Sequence, residues 1–215
     1  MDPLKKAMPA RVQITSILRK ALLSGEYKSG DVLNLTGVAE QLGISRTPVR
    51  EAFQTLEAEG LIELQMNRGA IVKPIGEKFI TDHYEMRTLL ESEAAARAAV
   101  RGLTECDELL RRLKSLLTRI SSASAEEYEE MNLAVHTAIW TAANNERLQK
   151  FLESLWNGPS VGFNASKVAH YTQSTQEHIA VLQAIEGRDA EMARKIMAQH
   201  IDRSFDNIMK VFGYR

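Results

Sequence analysis

The run Gly43-Ile44-Ser45-Arg46-Thr47-Pro48-Val49-Arg50-Glu51 constrains this chain more than any other feature, because it sets a turn, a helix start and the two faces of the helix that follows. Glycine suits the left-handed residue past a helix end, and serine is a preferred N-cap whose hydroxyl accepts a hydrogen bond from an orphan N–H of the first turn. Pro48 is tolerated because it lies in that first turn, where its missing N–H breaks no hydrogen bond. The helix then carries Arg46, Thr47 and Arg50 near its start and Val49, Phe53 and Leu56 along one apolar stripe. That is the layout of a helix-turn-helix recognition helix, whose first turns reach base edges and phosphates while the stripe holds the scaffold. Arginine forks onto guanine O6 and N7, and Thr47 suits a phosphate or a thymine methyl. The same residues also describe a capped amphipathic helix with a solvated basic start, so the flanks decide.

Upstream, Ile14, Ile17, Leu18 and Ala21 share one side of a helix expected over residues 11–24, and Asp31-Val32-Leu33 reads as a short edge strand. Val38, Ala39 and Leu42 mark a short helix stopped by Gly43. Downstream, residues 61–65 and 70–73 are β-prone runs joined by Met66-Asn67-Arg68-Gly69, which has turn chemistry. Three helices and a β-hairpin make a winged helix-turn-helix, with Arg68 at the wing tip facing a phosphate or the minor groove.

The run from Ala39 to Ile62, with its Ser45-Arg46-Thr47-Pro48-Val49-Arg50-Glu51 core, resembles the DNA-binding domain of GntR-family transcription regulators, and Arg68-Gly69-Ala70-Ile71-Val72 resembles the family's wing. The resemblance covers about residues 10–75 and implies that Arg46, Thr47, Arg50 and Arg68 face DNA, with Ser45 beside them. Where many relatives have a polar or charged contact residue at the start of the second helix, this chain has Asn34-Leu35-Thr36-Gly37, which leaves Thr36 as the phosphate contact there.

Composition points to an intracellular regulator. The 215 residues suffice for one large domain or two modest ones, and 44% hydrophobic content supports real cores. No apolar run approaches the roughly 18 residues of a membrane span, and no apolar signal segment is evident, so a cytoplasmic protein is expected. The single Cys106 excludes an internal disulfide; it falls in the first turn of an expected helix and is read as inert. The net charge of −1 is unlike that of a non-specific nucleic-acid coater. Residues 1–75 carry ten basic against eight acidic residues, and the rest 17 against 20, so the basic half coincides with the DNA-reading half.

Pro74-Ile75-Gly76 separates this domain, residues 1–75, from residues 76–215, where helical periodicity prevails. Helices are expected near 78–101, 105–121, 125–143, 146–156, 174–186 and 189–212, with a variable piece around 160–171, forming an antiparallel bundle able to enclose a ligand. His136 lies four residues after Asn132 on one helix face, His178 shares a stripe with Val181, Leu182 and Ile185, and His200 sides with Ile196 and Met197. Three inward histidines and an amide oxygen can converge on a divalent cation, zinc or nickel, although a single inward histidine is more often a core residue. His83 and His170 lack such company and are read as surface or packing residues. Arg87 faces either an effector carboxylate or Glu91 one turn along its own helix.

The segments Arg87–Ala95, Asn132–His136, Glu177-His178 and Met197–His200 are similar to landmarks of the FCD ligand-binding domain, which defines the FadR-type branch of the same family. The resemblance implies a metal site of one aspartate and three histidines, an effector near Arg87 and a dimer held by the bundle. This chain has Asn132 at the aspartate position; the neutral amide leaves more positive charge on a bound metal to attract an anionic effector. The expected function is therefore a dimeric, metabolite-responsive regulator, read as a repressor, that binds an inverted-repeat operator and senses a small organic acid. Two other readings stay open. One is a hydrolase using a histidine-bound metal, for which Glu177 is the nearest candidate base although it should point elsewhere. The other is a metal-free regulator whose histidines bond the effector directly.

Overall fold

A computed structural model describes residues 10–65, 69–156 and 167–214. Among these residues the chain is mainly helical. Helix α1 (Ala10–Leu23), strand β1 (Val32–Leu33), helices α2 (Leu35–Gln41) and α3 (Arg46–Ala58), and strands β2 (Ile62–Gln65) and β3 (Gly69–Val72) form the first part. Helices α4 (Glu77–Arg101), α5 (Cys106–Thr118), α6 (Ala125–Ala142), α7 (Glu146–Leu155), α8 (Lys167–Glu186) and α9 (Ala190–Val211) form the second.

Side-chain caps account for four of the helix starts. Asn34 caps α2 by accepting from the Thr36 and Gly37 N–H groups, Ser124 caps α6, Asn145 caps α7 and Asp189 caps α9. Ser45 departs from the sequence expectation. It occupies the N-cap of α3 with extended backbone, yet its side chain makes no capping bond. The helix start is held instead by the buried stripe Val49, Ala52, Phe53 and Leu56. Gly43 supplies the left-handed turn before it, with φ of 65°.

The expected hairpin is part of a three-stranded antiparallel sheet of order β1-β3-β2. Residues Val32 and Leu33 pair with Ile71 and Ala70, and Ile62 through Gln65 pair with Val72 through Gly69. The other departure is α8, which runs unbroken through residues 171–174. That stretch has no helix breaker, and its inward residues include the polar Ser174 and Thr175, so hydrophobic periodicity is blind to it.

Two apolar clusters result. Ile14, Leu18 and Leu22 of α1 pack with the α3 stripe and the sheet, whereas Leu23 of the same helix belongs to the bundle core with Trp140, Ile139 and Val181. Ile75 and Phe79 pack against both. Helix α4 is the bundle's spine: Ala94, Ala95, Ala96, Ala98 and Ala99 are buried, and these small side chains let neighbouring helices approach closely. The Tyr214 hydroxyl donates to the Ile75 carbonyl at 2.9 Å, tying the end of the chain to the link between the two parts.

Gly69 opens β3 with φ of 95°, and a Cβ there would overlap the Leu33 carbonyl oxygen and lie 3.1 Å from the Leu33 carbonyl carbon. Gly69→Ala is expected to cost about 1–3 kcal/mol through backbone strain and to part β1 from β3. Urea unfolding checks the first effect; faster hydrogen exchange at the Val72 amide, which bonds the Asp31 carbonyl at 2.9 Å, checks the second.

Candidate nucleic-acid interface and metal centre

The outer face of the first turns of α3 is open to solvent, while Val49 and Ala52 hold the other face in the core. Ser45, Arg46, Thr47 and Arg50 are exposed, as is Thr36 in the first turn of α2. Thr36, Arg46, Arg50, Gln54, Leu64 and Gln65 border an open groove of about 460 Å³ between α2, α3 and the sheet. Gln54, one turn beyond Arg50 on the same face, escaped the sequence reading; its spacing and its capacity for bidentate adenine contact were the available signal. Arg68 lies outside the described residues.

The three inward histidines meet. His136 from α6, His178 from α8 and His200 from α9 are all buried, and one ring nitrogen from each lies within 4.8 Å of the others. The His136 and His178 Nε2 atoms are 3.3 Å apart. The outer nitrogens of two rings are anchored on carboxylates. His136 Nδ1 is 2.5 Å from Glu91 Oε2, and His200 Nδ1 is 2.6 Å from Glu177 Oε2. This corrects the sequence expectation for Glu177, which reaches the cluster from the side, across from α8 to α9. Glu91 likewise went unread as a site residue because its partner is 45 positions away.

Each carboxylate is balanced by an arginine. Arg87 Nε and Nη2 donate to Glu91 Oε1 at 2.9 and 2.7 Å, so the i,i+4 pair is formed. Arg87 is 3% exposed, with its Cζ 5.4 Å from the Tyr84 ring centroid and 5.6 Å from that of Trp156. Arg203 forks onto Glu177 at 2.7 and 2.6 Å. Burial alone would raise the Glu91 carboxyl, but Arg87 and His136 outweigh it and hold Glu91 below the usual carboxylate range. For Glu177 the same opposition, with His200 and Arg203 prevailing, gives a value of about 2. Burial, then the neighbouring imidazoles, push His178 well below its ordinary value; His200 is lowered chiefly by burial, against the pull of Glu177.

This donor set fits a transition metal. Carboxylates on the outer nitrogens fix ring orientation and turn the Nε2 side inward, an arrangement metal-binding histidines commonly have. Asn132 is 3% exposed on the His136 face of α6, and its Nδ2 has no hydrogen-bond partner among the described residues. A buried amide nitrogen left unsatisfied calls for a missing neighbour. Cys106, by contrast, contributes nothing here: its Sγ lies 3.4 Å from the Leu182 carbonyl oxygen, and burial pushes its thiol to about 11.

Comparison with known proteins agrees with both halves. Residues 10–72 match the bacterial regulatory proteins of the gntR family, and residues 82–203 match the FCD domain. The chain belongs to the GntR family, with an FCD domain. It is 26% identical over 211 residues to the gluconate operon transcriptional repressor of Bacillus subtilis, covering 92% of this chain and 82% of that protein. It is 29% identical over 216 residues to the Uxu operon regulator of Haemophilus influenzae, covering 88% and 78%. The structure of E. coli McbR/YncC shares the fold, with a TM-score of 0.74 and 24% identity over 96% of this chain and all (100%) of that one. These domains and relatives are transcription regulators rather than enzymes, which sets the hydrolase reading aside. Among the described residues no helix is long and apolar enough to cross a membrane.

His83 is expected to make the stability of this GntR regulator acid-sensitive. Its ring packs on Phe79 and Tyr84, its Nε2 is buried with no partner among the described residues, and burial followed by Arg87 and Arg19 lowers its pKa to about 3, against the opposing pull of Glu91. The folded ring stays neutral while the unfolded one takes a proton below about 6.5, so stability rises with pH across that window and is lost as pH falls from 6.5 toward 3. His83→Phe is expected to remove up to about 1.4 kcal/mol per pH unit from that slope, measured by urea unfolding between pH 6.5 and 4.5.

Proposed function

We propose that this GntR regulator is a dimeric repressor whose FCD bundle holds a divalent metal, zinc or nickel, and binds a small organic acid beside it. The observation that carries the reading is the buried meeting of His136, His178 and His200, backed by Glu91 and Glu177. Asn132, His136, His178 and His200 hold the metal, Asn132 through its amide oxygen, which leaves Nδ2 free to donate to the effector. The metal supplies a positive anchor for a carboxylate. Arg87 contributes by holding Glu91 in place, so its part in effector binding is indirect. An organic-acid effector accords with the gluconate operon repressor among the relatives.

On this reading the division falls at residues 75 and 76, with the DNA-binding domain before it and the effector and dimerisation domain after it. Arg46 and Arg50 read bases from α3, while Arg68, Thr36, Thr47 and Ser45 serve the backbone of a double-stranded operator. One recognition helix reads too few bases for specificity, so two copies bind an inverted repeat. The exposed Met86, Leu89 and Val100 of α4 support the bundle as the dimer contact. Repression is relieved when the effector changes the spacing of the two winged helices, and the protein works in the cytoplasm where its operator lies.

Protein purified without chelator is expected to contain stoichiometric transition metal and to melt lower after chelation. Asn132→Asp should bind zinc more tightly, because a carboxylate replaces a neutral ligand. Protein with no stoichiometric metal and no thermal gain from added zinc or nickel would leave the histidines as direct effector contacts. Arg50→Ala is expected to lose about 1–3 kcal/mol of operator affinity and to relax base preference. Equal loss on specific and random duplexes in a gel-shift titration would remove its reading role.

A further inference from the structure

Arg19 stands where the two apolar clusters meet. It lies on α1, is 2% exposed, and is grasped from two sides. Its Nε and Nη2 fork onto the Glu59 carboxylate at 2.9 and 2.5 Å, and Glu59 is the residue that closes the recognition helix α3. Its Nη1 donates to the Trp156 carbonyl at 2.7 Å, and Trp156 closes α7 of the bundle.

Trp156 in turn belongs to the histidine cluster. Its buried ring lies 4.9 Å from the His136 ring and 5.5 Å from Trp140, centroid to centroid, and the Arg87 guanidinium lies over it. One run of direct contacts therefore leads from His136 through Trp156, Arg19 and Glu59 to the end of α3. Losing a hydrogen bond to a buried guanidinium is costly, so Trp156 and Glu59 cannot separate freely while both hold Arg19. A rigid planar fork transmits such displacement better than a flexible ammonium.

We propose that Arg19 is the relay between the two domains, carrying the state of the histidine cluster to the recognition helix. The proposal rests on the reading of that cluster as the sensing site. Occupation of the cluster shifts Trp156, and the shared guanidinium passes the shift to Glu59. By linkage the coupling runs both ways, so a duplex seated on α3 changes the cluster's affinity for its occupant, and on this proposal it does so by displacing Trp156.

The chain's two tryptophans, Trp140 and Trp156, both lie against the His136 ring, so tryptophan emission, excited beyond the absorption of the five tyrosines, reports on this site. The full-length protein is titrated with a duplex it has itself selected from random DNA. Tryptophan emission is expected to change on binding in the parent protein and to stay constant in Arg19→Lys and in Glu59→Gln, with duplex affinity kept within about threefold, below the roughly fivefold of the weakest usual allosteric coupling. Glu59→Gln leaves the Arg19–Trp156 bond in place and decides the question if Arg19→Lys does not fold. No emission change in the parent protein, or a full change in either folded variant, overturns the relay. Zinc and nickel are titrated separately: failure to bind either removes the metal reading, while the DNA-driven signal still decides the relay.

Discussion

Burying three imidazoles together in a bundle core is costly unless each ring keeps a defined tautomer and partner, and the second domain is arranged around that constraint. Glu91 and Glu177 hold the outer nitrogens of His136 and His200, and Arg87 and Arg203 neutralise the two carboxylates. Removing one partner of the fully buried Arg87–Glu91 pair strands a charge at a cost of about 3–5 kcal/mol, and less for the half-buried Arg203–Glu177 pair. The arginines therefore make the site possible even though neither touches the space between the histidine rings.

The backbone adapts to this polar centre. Helix α4 brings Arg87 and Glu91 to the cluster and then turns to alanine, so the same helix supplies both the charge balance and the close packing against its neighbours. Helix α6 presents Tyr128, Asn132, His136 and Trp140 at four-residue intervals on one face, and all four are buried. A bundle core this polar is weakly explained by stability alone. It is well explained by a site that must hold something, which fits the regulators to which the chain is related.

Helix α1 joins this centre to the DNA-reading surface. Counted by its apolar residues it is part of the first core, yet Leu23 enters the second, Lys20 pairs with Glu129 of α6, and Arg19 meets α7. The interface between domains thus mixes these charged contacts with the apolar packing of Leu23, Ile75 and Phe79. Interfaces within a chain that are not large and wholly apolar permit relative motion of the parts they join.

Much of the molecule was legible along the chain. Ser45-Arg46-Thr47-Pro48 marked the start of α3 and the side chains it exposes, because a first-turn proline and a 3.6-residue stripe act within one or two turns, although the Ser45 side chain forms no capping bond. The inward direction of His136, His178 and His200 followed from the same period. Tertiary structure alone decided the rest. The pairing of β1 with β3 joins residues some forty apart, the unbroken α8 packs polar residues that periodicity cannot see, and Glu91 and Glu177 reach histidines on other helices. The contact of Arg19 with Trp156 spans 137 positions. Local patterns determine which face of an element is buried; what that face meets depends on helix packing, which no single segment encodes.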